Sequence, residues 1–159
     1  MSPVQRNQTI RLIFSKSHLP FSPLVQLVTW SKWSHVGIVI DDETVIESTF
    51  THGGVKKVSL DTFKDRASAW IIVELPCVDR QAIIDAALSQ EGKPYDWTGL
   101  AGILFHNRNW QEDDSWFCSE LVAWAFTQGG SPLFIQETVN RITPQNLFML
   151  YHTVVASSL

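Results

Sequence analysis

Short runs of alternating apolar and polar residues fill the first half of the chain, a pattern typical of strands. The second and third runs are separated by the polar residues Asp41, Asp42 and Glu43, which indicate a hairpin turn. A glycine turn at residues 52–54 introduces the fourth run, and Pro76 is expected to end the fifth. The pattern predicts strands over residues 9–15, 34–40, 44–50, 55–60 and 69–75.

The second half of the chain has the spacing of helices. Residues 79–90 place apolar side chains on one face and stop before a Gly-Lys-Pro turn, which predicts an amphipathic helix. Residues 115–128 are apolar almost all round and end at two glycines, which predicts a buried central helix. Further elements are predicted as helices at 22–28, at 97–105 and from Thr143, and as a last strand at 151–156. Strands followed by helices indicate an α+β fold, here a single domain of residues 1–159.

Composition and charge exclude several classes of protein. The 159 residues are 45% hydrophobic and 18% charged, a globular composition. A net charge of −4 without a basic cluster argues against nucleic-acid binding. Cys77 and Cys118 are too few for a disulfide scaffold or a four-cysteine zinc site. We see neither a secretory signal nor a membrane span, so we expect a cytoplasmic protein unless a phage or a dedicated secretion route delivers it.

Cys118 is the first candidate for chemistry. It lies at the predicted N-terminus of the most apolar helix, where unsatisfied amides and the helix dipole stabilise a thiolate, the nucleophilic form of cysteine. The same amides can donate hydrogen bonds to an oxyanion. Because cysteine is also a common core residue, a catalytic role requires a partner side chain.

His35 is the residue that we expect to support this thiolate as a base. Its strand places Val36, Ile38 and Ile40 on a core face, and His35 falls with Gly37 on the other face. A glycine beside the imidazole is expected to leave room for a substrate or for the cysteine.

Glu47 is the candidate residue for orienting the imidazole. If the hairpin loop has three residues, Gly37 pairs with Glu47, which then lies diagonal to His35 on the same face. A two-residue loop would place Glu47 on the opposite face. On the same face, its carboxylate would accept a hydrogen bond from a ring N–H and stabilise the imidazolium.

Three further residues are predicted to form the oxyanion and substrate-binding part of the site. Tyr95 follows the Gly-Lys-Pro turn, and its hydroxyl could donate a hydrogen bond to the oxyanion. Ser34 and Phe117 are the immediate neighbours of the histidine and the cysteine. The spacing of His52 from those two residues fits no zinc motif, so neither a metal nor another cofactor is expected.

These segments together resemble the circularly permuted papain-like cysteine hydrolases of the NlpC type, and among them the YaeF/YiiX-like permuted amidases. The resemblance extends from the first strand to Leu147 and depends on the order of the segments. They are Ser34-His35-Val36-Gly37, Val45-Ile46-Glu47, Gly92-Lys93-Pro94-Tyr95-Asp96, Phe117-Cys118-Ser119-Glu120-Leu121-Val122 and Thr143-Pro144-Gln145-Asn146-Leu147.

The resemblance implies a permuted papain-like fold, with a central antiparallel sheet or partial barrel and the nucleophile at a helix N-terminus. It implies Cys118 as the nucleophile, His35 as the general base and then acid, and Glu47 as the orienting residue. The related lecithin:retinol acyltransferase group usually has a histidine where Glu47 stands, so Glu47 favours the amidase branch. The implied reaction is hydrolysis of an amide bond through a thioester acyl-enzyme, with bacterial cell-wall peptides as one candidate substrate.

Two other functions stay open. The apolar segments at 21–33 and 97–105, with Trp30, Trp33 and Trp97, could face acyl chains in a lipid-directed thiol esterase or acyltransferase, although burial against the sheet is the simpler explanation. A non-catalytic module of the same fold could instead bind a peptide or sugar through its tryptophans. The expected partner is therefore a peptide or acyl-bearing substrate, without nucleic acid, and membrane contact is not favoured.

Overall fold

The structure is a computed structural model that describes residues 8–17, 32–49, 53–94, 118–134, 142–151 and 153–159. The strands are β1 (Gln8–Ser17), β2 (His35–Val39), β3 (Thr44–Thr49), β4 (Gly54–Ser59), β5 (Ala67–Cys77) and β6 (Thr153–Ser157). The helices within these ranges are α1 (Leu60–Asp65), α2 (Arg80–Ser89), α3 (Cys118–Gln128) and α4 (Pro144–Phe148). The strands form one antiparallel sheet in the order β4-β3-β2-β1-β5-β6, which confirms the α+β class.

Strand alternation divides the apolar side chains between the two faces of the sheet. On one face, Phe14, Val36 and Ile38 pack with residues of α2 and α3 in the larger core cluster. On the other, Ile13 and Val39 belong to a smaller cluster. Each fully buried side chain contributes roughly 1.5–3 kcal/mol, so both faces stabilise the sheet. The predicted core face of β2 is therefore confirmed, and its second face is also covered.

The smaller cluster is covered by α1, which connects β4 to β5. Three strands separate β4 from β5 in the sheet, so this connection has to cross a face. The Ser59 hydroxyl caps the helix by accepting a hydrogen bond from the Thr62 amide at 3.0 Å, and Phe63 is buried beneath it. The sequence pattern did not predict this helix and carried the fourth strand through Leu60, which instead begins α1.

Pro76 lies inside β5, so the prediction that it ends the strand was wrong. It pairs with Thr9 of β1, and β5 continues to Cys77. On the other side, β6 pairs with β5 only from Ile71 to Glu74. The ladder on that side therefore needs no amide from position 76, which is where a strand tolerates proline.

The other predicted elements within the described residues are present. The Asp79 carboxylate caps α2 by accepting a hydrogen bond from the Ala82 amide, and Thr143 and Asn146 form a capping box at the start of α4. The predicted helices at 22–28 and 97–105 lie outside the described residues, as do residues 50, 52, 115–117 and 152. Among the helices that the structure describes, none has the length and apolarity to cross a membrane.

Gly54 fixes the turn at residues 92–94 against β4. Its φ of 146° is open mainly to glycine, and a Cβ there would collide with the Lys93 carbonyl. That carbonyl accepts a hydrogen bond from the Val55 amide at 2.8 Å, and the Gly92 amide donates to the Val55 carbonyl at 2.8 Å. The predicted Gly-Lys-Pro turn is therefore joined to the sheet edge next to β3.

Candidate active site

The hairpin between β2 and β3 has the three-residue loop that places Glu47 beside His35. Ile38 pairs with Ile46, and the Ile40 amide donates to the Thr44 carbonyl at 2.9 Å. Continued by one residue, this register sets Glu47 opposite Gly37. Glu47 and His35 therefore lie diagonally on one face, as predicted, and the two-residue alternative is excluded.

His35 and Glu47 are joined by a short hydrogen bond. The distance from His35 Nε2 to Glu47 Oε2 is 2.6 Å. The Glu47 side chain has no exposed surface, whereas 17% of the His35 side chain is exposed. Glu47 is thus a buried carboxylate and not a solvated strand residue, and its burial requires partners for its charge.

Cys118 reaches the same imidazole from the other face of the sheet. It is the first residue of α3 and is buried in the larger cluster, and its interactions with the His35 imidazole help to raise the pKa of His35. Because Nε2 faces Glu47, Nδ1 is the ring nitrogen left for the thiol.

The protonation states follow from these contacts. Burial alone would lower the pKa of His35, but hydrogen bonds and charge interactions with Cys118 and Glu47 outweigh it and raise the pKa to about 10. Burial would likewise raise the pKa of Glu47, but the hydrogen bond and charge of His35, together with Arg66, lower it below its ordinary range. An imidazolium beside a carboxylate is therefore the stable arrangement at neutral pH.

Arg66 is a member of this cluster that the sequence pattern missed. It follows α1 directly, and its Nη2 lies 2.5 Å from Glu47 Oε1, the oxygen that His35 does not use. It falls between two predicted strands, in a segment with no motif. Only the crossing of α1 over the sheet brings it to Glu47.

Gly37 does not leave an open space beside the imidazole, contrary to expectation. A Cβ at Gly37 would meet the side chains of Val45 and Phe63, and Phe63 is itself stacked on the His35 ring. The absence of a side chain at Gly37 therefore lets α1 pack closely against β2.

The segment around α4 is tied to the elements that carry Cys118 and His35. The buried Ser119 hydroxyl donates to the Ile142 carbonyl. The Gln145 side-chain oxygen accepts a hydrogen bond from the Lys32 amide at 3.2 Å, three residues before His35. One short segment thus supports both the nucleophile helix and the start of β2.

The remaining predicted site residues are distributed as follows. The Ser34 hydroxyl donates to the Ser15 carbonyl at 3.2 Å, and its amide donates to the same oxygen at 3.0 Å. Trp33 is fully buried and packs against Phe14 and Phe148 in the core, as the simpler explanation held. The substrate-site predictions for Tyr95 and Phe117 lie outside the described residues, as do Trp30 and Trp97.

Comparison with solved structures finds the same fold in the metalloprotein YiiX from Escherichia coli O157:H7. The TM-score is 0.70, and the match covers 97% of this chain and 99% of YiiX at 22% sequence identity. At this identity the likeness concerns the fold alone.

A metal does not fit the residues of the cluster. Both oxygens of Glu47 are engaged, one by His35 and the other by Arg66, and the imidazole is shared between Glu47 and Cys118. In the part of the chain that the structure describes, no three His, Cys, Asp or Glu side chains are grouped to hold a metal ion.

Sequence comparisons give a family and a short region of closer similarity. Probable endopeptidases of Mycobacterium bovis and Mycobacterium tuberculosis are 44% identical to this chain over 55 residues, which are 35% of the chain. The chain spans only about 11% of the length of these relatives. The family model of permuted papain-like amidase enzymes, YaeF/YiiX, matches residues 11–158. The chain therefore belongs to the YaeF/YiiX family of permuted papain-like amidases, the C92 family.

Proposed function

We propose that this protein is a cysteine hydrolase that cleaves a peptide amide bond with Cys118 as nucleophile, His35 as base and acid, and Glu47 as orienting residue. The observation that carries the proposal is the position of His35, which interacts with the cysteine on one side and is hydrogen-bonded to a buried carboxylate on the other. This is the arrangement in which an imidazole activates a thiol.

In the resting state, the proton resides on His35 and Cys118 is a thiolate. The raised pKa of His35 and the negative charge of Glu47 favour the imidazolium. Glu47 accepts the Nε2–H hydrogen bond, so the ring is oriented with Nδ1–H toward Cys118. The N-terminal end of α3 adds a partial positive charge beside the sulfur.

Acylation begins when Cys118 Sγ attacks the carbonyl carbon of the substrate. The oxyanion that forms accepts hydrogen bonds from amides at the start of α3. His35 gives its Nδ1 proton to the departing amine nitrogen, the C–N bond breaks, and a thioester to Cys118 remains. A water then gives one proton to His35 and adds to the thioester carbon. The C–S bond breaks, and the acid product leaves a thiolate and an imidazolium behind.

A peptide amide is the bond that the relatives favour. The family is described as amidases, and the mycobacterial relatives are named as probable endopeptidases over a shared 55-residue region. Stem peptides of the bacterial cell wall are the candidate substrate that we infer within this class. Contacts from Tyr95, Ser34 and Phe117 to that substrate stay predictions.

Trapping the acyl-enzyme tests this proposal. The protein is mixed with cell-wall stem peptides, other peptide amides and fatty-acyl esters, quenched in acid, and examined by intact mass and peptide mapping. We expect a peptide-derived thioester on Cys118 with release of an amine, no adduct in Cys118→Ser, and normal behaviour in Cys77→Ala. Amine release that survives Cys118→Ser would overturn the nucleophile. Adducts from esters but from no amide would overturn the peptide bond and favour the lipid-directed alternative.

A further inference from the structure

We propose that Arg66 is a positioning residue that keeps Glu47 ionised and aimed at His35, so that the catalytic chain has four members and begins at a guanidinium. The inference rests on the proposed roles of Cys118 and His35. Arg66 carries no sequence motif and reaches the site only through α1.

Three contacts hold the Arg66 guanidinium in place. Its Nη2 donates to Glu47 Oε1 at 2.5 Å, and its Nε donates to the Thr62 carbonyl at 3.2 Å. Its Cζ lies 5.6 Å from the ring of Phe63, the aromatic residue that stacks on His35. Arg66 and His35 therefore approach Glu47 from two sides, with Phe63 packed against both.

Burial makes this second partner necessary. The Glu47 side chain has no exposed surface, and an isolated carboxylate in such a place would take up a proton. His35 compensates one oxygen, and a guanidinium, which is always charged, compensates the other. The remaining charged residue facing Glu47 in the strand register is Lys56 of β4, whose side chain is exposed.

The chemical consequence concerns where the His35 proton goes. A carboxylate held by two cations is a weak base, so Glu47 orients the imidazolium without taking its proton. That proton stays available for the departing amine. Arg66 touches neither the substrate nor the thiol in this scheme and acts only through Glu47.

Two readouts test this proposal without a substrate. The first is the ¹³C NMR titration of the Glu47 carboxyl, identified by its loss in Glu47→Gln. The second is the pH profile of Cys118 alkylation by iodoacetamide. In Arg66→Met we expect the Glu47 midpoint to rise by about one to two pH units. The midpoint of the acidic limb of the alkylation profile should rise as well, because a protonated Glu47 no longer stabilises the imidazolium. The alkylation rate at about pH 8 should stay within roughly twofold of the rate in the unmodified protein.

Matched variants separate this role from a general loss of structure. Arg66→Lys retains the charge with a single donor group and should shift both midpoints by less than Arg66→Met. Arg11→Met removes an arginine that pairs with Glu74 and Asp42, and should leave both profiles unchanged. In the Glu47→Gln background, Arg66→Met should cause no further change in the alkylation profile, since Arg66 acts through Glu47.

A Glu47 titration in folded Arg66→Met that superimposes on that of the unmodified protein would overturn the inference. A further shift from Arg66→Met in the Glu47→Gln background would overturn it as well. If Cys118 is alkylated slowly and independently of His35, the proposed function fails instead. The Glu47 titration still decides the role of Arg66 in that case.

Discussion

Phe63 lies nearly parallel to the imidazole of His35, with the ring centroids 5.4 Å apart and the planes inclined by 21°. Phe63 belongs to α1, and Cys118 belongs to α3 on the other face of the sheet. His35 is therefore held between two helices that approach from opposite faces. The position of the base depends on both packing layers and not on its own strand alone.

Phe63 should affect both the stability of the fold and the position of His35, and a control variant separates the two effects. We expect Phe63→Leu and the control Phe126→Leu, both at fully buried positions, to lower the free energy of unfolding by about 1–2 kcal/mol each. Only Phe63→Leu removes the ring stacked on His35, so only this variant should slow Cys118 alkylation near pH 6, by roughly threefold or more. Urea denaturation and alkylation rates measure the two effects. Equal alkylation rates in both variants would deny Phe63 a role in holding the base.

Ser119 should prove to be a structural neighbour of the nucleophile. Its buried hydroxyl donates to the Ile142 carbonyl, so Ser119→Ala should lower the free energy of unfolding by about 1–3 kcal/mol. Cys118 alkylation should persist in Ser119→Ala, because α3 keeps its other contacts with β2. Ser157→Ala, at an exposed residue of β6, is the control for stability. Loss of Cys118 reactivity in a folded Ser119→Ala protein would show that the tie to Ile142 is needed for the site.

Stability should fall as the medium becomes alkaline. The pKa of His35 is raised from 6.5 to about 10, so its protonation stabilises the folded state fully below about pH 6.5. This stabilisation is lost as the pH rises toward 10. One pKa unit corresponds to about 1.4 kcal/mol. Across this pH range, the free energy of unfolding of the unmodified protein should therefore fall by over ~1 kcal/mol more than that of His35→Gln. If the free energies of unfolding from urea denaturation change equally with pH in both proteins, His35 protonation does not stabilise the fold and the prediction is wrong.

The ionised Glu47 side chain contributes to stability with the opposite pH dependence. Its pKa is lowered in the fold, so its contribution is present above the ordinary glutamate value and is lost as the pH falls through the lower value of the folded state. Acid unfolding should therefore begin at higher pH in Arg66→Met than in the unmodified protein. Circular dichroism during acid titration measures this onset. An unchanged onset would mean that Arg66 adds nothing to the stability of the carboxylate.

Local pattern predicted the β2–β3 hairpin and, for a three-residue loop, the relation of His35 to Glu47. A period of two determines which side chains share a face once the loop length is known, and the pairing of Ile38 with Ile46 gives the three-residue loop. The helix predicted over residues 79–90 is likewise present as α2, from Arg80 to Ser89.

Contacts between distant segments could not be predicted in this way. Arg66 meets Glu47 only because the chain after β4 crosses the sheet to reach β5, a topology that no local signal specifies. The same crossing brings Phe63 over Gly37, which is why the space beside the imidazole is filled. The Ser59 cap was the available signal for α1, but an alternating run beside it favoured a longer strand.

The most direct test of the central claim is the rate of Cys118 alkylation by iodoacetamide across pH, in the unmodified protein and in His35→Gln, with Cys77 as the internal reference. An ordinary thiol with a pKa near ~8.5 is almost wholly protonated at about pH 6. The proposed thiolate–imidazolium pair predicts that Cys118 still reacts rapidly there, at least about tenfold faster than in His35→Gln. Slow labelling of Cys118 with the same pH profile in both proteins would contradict the mechanism and favour a non-catalytic module of the same fold.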